Sequence, residues 1–131
     1  MTSRTGRCLC GAITYEFTGD PLWRAHCHCA SCRKQTSSPV TSFFCVLLDN
    51  FVFTSERPAA FNSSPGVTRK FCRQCGSPIA YQSVARPDQI DIYACTLDDH
   101  KDFAPEYHVF WNERVPWLNI EDDLEKKEEE G

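Results

Sequence analysis

The residues most able to do chemistry in this chain are its nine cysteines, seven of which fall into three compact clusters. Cys8-Leu9-Cys10-Gly11 lies near the N-terminus, Cys27-His28-Cys29-Ala30-Ser31-Cys32 follows, and Cys72-Arg73-Gln74-Cys75-Gly76 forms the third. In C-x-x-C a tight turn lets both sulfurs reach one ion at about 2.3 Å, the usual Zn–S distance. Gly76 follows where positive φ lets backbone amides approach sulfur. Residues i and i+2 of a strand point to one side, so Cys8 and Cys10 can share an ion if Gly11 bends the chain. Together these two pairs make a complete four-thiolate site, Cys8, Cys10, Cys72 and Cys75, closed and serving the fold.

That leaves Cys27, Cys29 and Cys32 as a set of three. A zinc held by three protein ligands with an exchangeable fourth position is the pattern of a catalytic metal. His26, His28, Cys45, Cys95 or a ligand from solution could fill that position. His26 and His28 alternate with the cysteines and point away from them in an extended backbone. Cys45 sits in the apolar run FFCVLL and reads as a small buried hydrophobe, and Cys95 reads as an inert strand position. The reading adopted is an open position. A soft, thiolate-held zinc there would welcome an outside thiol and keep it deprotonated. Arg33 and Lys34 follow at once and could hold a substrate carboxylate, or be solvated surface charges.

The elements that must position these clusters are strands. Ile13, Tyr15 and Phe17 alternate with Thr14 and Glu16, as in a half-buried strand. QIDIYACTL alternates likewise, setting Ile90, Ile92 and Ala94 against Asp91, Tyr93 and Cys95. VTSFFCVLL, NFVFTS, TRKF, PIAYQS and EYHVFW add further strands, with Asp49-Asn50, Ser63 to Gly66 and Arg86 to Asp88 as turns. The one helical segment expected is the short ASCRKQTS. The fold class is mostly β, antiparallel, in packed sheets.

The chain's 131 residues, 41% hydrophobic, fit one domain over residues 1–124. Residues 125–131 read as an acidic, disordered tail. Seven acids and two lysines from Glu121 onward carry a net −5 of the chain's −4, leaving the remainder at +1. No basic stripe interleaved with aromatics suggests nucleic acid. No apolar run suggests a membrane or a signal peptide, so the expected compartment is the cytoplasm. That reducing compartment favours metal ligation or redox chemistry over disulfides, and an odd number of cysteines could not all pair within one chain.

With the clusters laid out, the chain resembles the glutathione-dependent formaldehyde-activating (GFA) family, which includes the centromere protein V type of domain. C-x-C-G, CHCASCRK and RKFCRQCGSPIAY carry the resemblance, with TLDD, PEYHVFW and VPW downstream. It runs in register from about residue 5 to about residue 124. It implies a β-tent fold, as in methionine sulfoxide reductase B, with a structural zinc on Cys8, Cys10, Cys72 and Cys75 and a second zinc on Cys27, Cys29 and Cys32. It implies a carbon–sulfur lyase joining glutathione to formaldehyde as S-hydroxymethylglutathione. On that reading Cys27, Cys29 and Cys32 are catalytic, Arg33 and Lys34 orient the substrate, the partner is a small-molecule thiol, and the protein is a monomer or homodimer. Where relatives commonly carry glycine, this chain has Ser37-Ser38 and Cys95. Two other readings are a non-catalytic zinc module, its second site closed by Cys45 or Cys95, and a thiol oxidoreductase using one of those cysteines.

Overall fold

The computed structural model describes residues 2–129. Residues 1, 130 and 131 lie outside the described residues, and with them the last two positions of the acidic tail. Eleven strands and one α-helix are described: β1 (Ser3–Arg7), β2 (Thr14–Thr18), β3 (Trp23–Cys27), α1 (Ala30–Thr36), β4 (Thr41–Leu47), β5 (Phe51–Phe53), β6 (Ala59–Ser64), β7 (Val67–Phe71), β8 (Pro78–Ser83), β9 (Gln89–Tyr93), β10 (Tyr107–Val109) and β11 (Glu125–Lys126). The mostly β architecture and the single short helix agree with the sequence reading. Among the described residues no helix is long and apolar enough to cross a membrane.

The strands form two sheets. A three-stranded sheet runs β1-β2-β5, and an eight-stranded one runs β11-β10-β3-β4-β9-β8-β7-β6. Pairing is antiparallel except at one edge, where β10 lies parallel to both β3 and β11. The alternation in β2 buries Tyr15 and Phe17 against the large sheet, where Phe17 meets Phe44 at 5.1 Å between ring centroids. Val46, Ile79, Ile90, Ile92 and Leu97 complete this first core.

The large sheet buries its other face as well. Ala25, Cys27, Phe43, Tyr93 and Val109 pack there around Cys32 of α1. This corrects the expectation that Asp91 and Tyr93 form the outer face of a half-buried strand: both are buried, as are Ile90 and Ile92. A strand sandwiched between two cores need not alternate in polarity. β1 and β6 carried no apolar alternation. Both are edge strands, and β6 is largely exposed.

Pairing also continues into the segment from residue 125, expected as an unstructured tail. Glu125 and Lys126 lie opposite Tyr107 and His108, and the Lys127 amide donates to the His108 carbonyl at 2.8 Å. The Trp111 amide donates to the Lys127 carbonyl at 2.9 Å, and Lys126 Nζ reaches Asp122 Oδ1 at 2.8 Å. An unpaired backbone edge on β10 is the physical reason a charged segment orders here.

Truncation after Leu124 removes these pairings and is expected to lower unfolding free energy by about 1–3 kcal/mol, at roughly 1 kcal/mol per bond. An unchanged urea midpoint would show that the segment is unpaired in solution. At the end of α1, Ser37 adopts the left-handed conformation with φ 57°, a conformation costly for a residue with a Cβ. Ser37→Gly is expected to raise stability by about 0.5–1 kcal/mol in the same assay.

Candidate metal centres

Cys8 directly follows β1 of the small sheet, while Cys72 and Cys75 occupy the turn between β7 and β8 of the large one. The turn closes through the Gly76 amide on the Cys72 carbonyl at 2.8 Å and the Cys72 amide on the Ser77 carbonyl at 3.0 Å. Gly11 and Gly76 take φ 81° and 78°, the positive values that bending the backbone behind each cysteine pair requires. The four sulfurs lie within 4.8 Å of one another. Cys8 to Cys10 and Cys10 to Cys72 are each 3.7 Å. A tetrahedron of sulfurs about 2.3 Å from one ion places neighbouring sulfurs about 3.8 Å apart, so the set fits such an ion. A disulfide needs about 2.05 Å, and all nine cysteines are free. Amides and hydroxyls favour the ionised sulfurs: the Ile13 amide donates to Cys8 Sγ at 3.3 Å. The Ser77 hydroxyl, followed by the Ser77 and Cys10 amides, draws the Cys75 thiol down to about 5. This set brings the end of β1 in the small sheet against the β7–β8 turn of the large one.

The second set gathers from three local positions. Cys27 ends β3, Cys29 precedes the first residue of α1, and Cys32 lies in its first turn. The Ala30 amide is capped by Glu113 Oε1 at 2.9 Å. Their sulfurs also lie within 4.8 Å of one another, with Cys27 and Cys32 3.9 Å apart. Hydrogen bonds from the Cys27 and Cys32 thiols, then from the Cys32 and Ser31 amides, draw Cys29 strongly down. Cys27 is pushed up by its contact with Cys29, then by Cys32 and by burial. Ionisation of one sulfur thus opposes ionisation of its neighbours, which a cation among them would relieve. The donors are soft, convergent and mostly buried, which suits a thiophilic divalent ion. Among the described residues no fourth ligand joins them.

The other candidates for that position lie elsewhere. Cys45, fully buried on β4, donates to Gln89 Oε1 at 3.3 Å and receives Arg86 Nη1 at 3.8 Å. Burial pushes its thiol up. Cys95 is exposed in a 3₁₀ turn after β9. His28 turns away from the sulfurs, its Nε2 2.8 Å from His108 Nδ1, while His108 Nε2 lies 2.8 Å from Asp122 Oδ2. His26 meets the His108 ring in a tilted contact, 5.1 Å between centroids, and the Ser42 hydroxyl at 2.8 Å. Burial, then the neighbouring His108, hold His28 down at about 4, so His28 is neutral, and the three linked groups form a packed support behind the cysteine loop.

The sulfurs open into a cavity of about 190 Å³. Neither Arg33 nor Lys34 lines it: Arg33 donates to the His28 and Glu113 carbonyls at 3.2 and 3.1 Å, and Lys34 is exposed. The cation that does line it is Arg69 of β7, only 4% exposed. Its Nη1 reaches Cys32 Sγ at 3.6 Å and the Tyr93 hydroxyl at 3.1 Å, while Nε donates to the Ser63 hydroxyl at 3.1 Å. Burial would lower the Arg69 pKa, but Cys32 and Tyr93 more than offset that, so it stays charged. The Tyr93 hydroxyl donates in turn to Gln35 Oε1. Sequence reasoning missed Arg69 and Tyr93. The available signal was Val67-Thr68-Arg69-Lys70-Phe71, where Arg69 shares a strand face with two apolar residues.

Two sheets that meet at four convergent sulfurs, with a separate three-sulfur set open to a cavity, define a mostly β protein with two cysteine sets that could each hold a metal ion. The model of the glutathione-dependent formaldehyde-activating enzyme family matches residues 3–113, and the chain belongs to that family. It is 32% identical over 81 residues to an uncharacterized lyase of Schizosaccharomyces pombe. That stretch is 62% of this chain and 58% of the relative, so the chain spans less than two thirds of the relative's length. A crystal structure of a Rhodobacter sphaeroides protein shares the fold, with a TM-score of 0.60 at 21% identity, covering 72% of this chain and 87% of that one.

Each set is expected to bind one divalent ion, two per chain by metal analysis. Cys29→Ser is expected to bind one and keep its circular dichroism spectrum. Cys72→Ser, which breaks the four-sulfur set, is expected to lose that ion and much of its thermal stability.

Proposed function

We propose that the protein is a zinc-dependent carbon–sulfur lyase acting reversibly on a thiol–aldehyde adduct, with glutathione and formaldehyde giving S-hydroxymethylglutathione as the reference reaction. The observation that carries this reading is the contrast between the two sets, one closed at four sulfurs and the other stopping at three beside a cavity. Membership of the family and the lyase name of the yeast relative support the reaction class. Cys8, Cys10, Cys72 and Cys75 would hold a structural zinc, and Cys27, Cys29 and Cys32 a second. When bound at three thiolates, zinc supplies a Lewis-acidic position that takes a thiol and keeps it deprotonated at neutral pH.

The chain's own residues do the rest. Three thiolates and one divalent ion sum to −1, a charge costly to bury. Arg69, already on Cys32 Sγ, would offset it. The same guanidinium meets the negative charge that develops on a carbonyl oxygen as sulfur adds to carbon. Tyr93, its hydroxyl kept protonated by burial, holds Arg69 in place together with Ser63. His28, His108 and Asp122 fix the backbone carrying Cys27 and Cys29. Arg33 ties the same loop to Glu113 and so serves the substrate through the loop's position.

Exchange NMR on glutathione and formaldehyde tests the reading. Because the adduct also forms spontaneously, the readout is the rate of interconversion. Zinc-loaded protein is expected to accelerate it saturably, and Cys29→Ser to abolish the effect. A Cys29→Ser variant with unchanged turnover and unchanged zinc content would overturn the assignment. Arg69→Gln is expected to lower kcat/KM about tenfold to a hundredfold, the loss of about 1.5–3 kcal/mol for a hydrogen bond to a charged group.

A further inference from the structure

The cavity beside the three sulfurs has more wall than formaldehyde needs. Beyond Cys27, Cys29, Cys32 and Arg69 its walls include the aromatic Trp23, Phe43, Tyr81 and Phe110, and its one carboxylate, Asp91, is paired with Arg86. Phe43 and Tyr81 meet edge-to-face at 6.5 Å between centroids. Arg69 lies over the Tyr81 ring at 5.0 Å. Its volume, about 190 Å³, must also hold the ion and the thiol sulfur, so the space left is comparable to the roughly 150 Å³ of an apolar protein cavity that accepts benzene. It falls short of the roughly 300 Å³ at which pockets begin to enclose drug-sized ligands, so a tripeptide thiol cannot lie wholly inside. Its peptide must pass over the exposed Ser31, Ser63 and Ser64.

Phe110 gives a second, independent observation. It adopts the left-handed conformation, φ 53° and ψ 40°, at a cost of about 1–2 kcal/mol for a residue with a Cβ. A bulky aromatic there is an outlier, and such strain is kept where the surroundings impose it. Here the strained residue is one that walls the cavity. A carbonyl partner of two heavy atoms gains nothing from it.

Resting on the reading of this site as one that joins a thiol to an aldehyde, we propose that the aldehyde it takes is apolar and up to benzene-ring size. Its hydrocarbon group packs among Phe43, Tyr81 and Phe110, and its carbonyl oxygen faces Arg69. The step balances without redox chemistry. The thiol sulfur bonds to the carbonyl carbon, the C=O π pair moves to oxygen, and that oxygen takes the proton the thiol gives up.

Two measurements on the zinc-loaded protein test this. Exchange NMR compares glutathione with benzaldehyde against glutathione with formaldehyde, and saturation-transfer NMR follows benzyl alcohol, which has the ring but cannot react. The expected result is a kcat/KM for benzaldehyde at least tenfold above that for formaldehyde, with benzyl alcohol bound and displaced by benzaldehyde. Val67→Phe, which fills the cavity from β7, should lower the benzaldehyde-to-formaldehyde ratio at least tenfold. The wild-type binding measurement stands even if that variant fails to fold. Acceleration of formaldehyde alone, or no binding of benzyl alcohol, overturns the inference and leaves the lyase reading intact. No acceleration with either aldehyde sinks both, and bound benzyl alcohol then places the error in the chemistry rather than in the cavity.

Discussion

The structure depends on sulfur atoms brought to 3.7–3.9 Å of one another at two places. Two thiolates at that separation repel by about 4 kcal/mol at an effective dielectric of about 20, and a set of three or four multiplies the penalty. Protonated, the thiols avoid it. Ionised, they need a cation at their centre. The fold must therefore hold the sulfurs close enough for one ion while supplying donors for whatever charge remains. The Ser77 hydroxyl and the Ile13 amide do so at the first set, and the α1 amides and Arg69 at the second.

The two sets differ in what they join. The first lies between a strand end of the small sheet and a turn of the large one, so its ligands are spread over the fold and its closure is a tertiary contact. The second lies within one strand–helix junction, its ligands within a span of six residues, and its surroundings come from elsewhere. That division suits one ion that holds the sheets and another that leaves an approach for a small molecule.

Burial of the large sheet on both faces makes the second arrangement possible. β4 and β9 act as a partition: Phe44, Val46, Ile90 and Ile92 face the first core, Phe43 and Tyr93 the second. Arg69 is held in that second core because Cys32, Tyr93 and Ser63 all accept from it. A guanidinium so placed keeps its charge despite burial, whereas a lysine, whose pKa shifts readily when buried, would not.

Much of this was legible in the chain itself. Cysteine spacing alone separates a set of four from a set of three, because C-x-C and C-x-x-C are local geometries that a strand and a turn dictate. The strands of the first core could be read because one of their faces is apolar, and α1 because ASCRKQTS lies between two strands. Asp91 and Tyr93 were misread because alternation cannot distinguish water from a second core. Residues 125–127 were misread because composition registers their charge and not the empty edge of β10. Arg33 follows the cysteines in sequence yet bonds to backbone carbonyls, whereas Arg69, 37 positions after Cys32, lies on its sulfur. Ligand spacing is short-range and written into the chain. The cation, the aromatic walls and the volume beside the open sulfurs come from strands far apart in sequence, and only their pairing in the sheet decided which side chains met there.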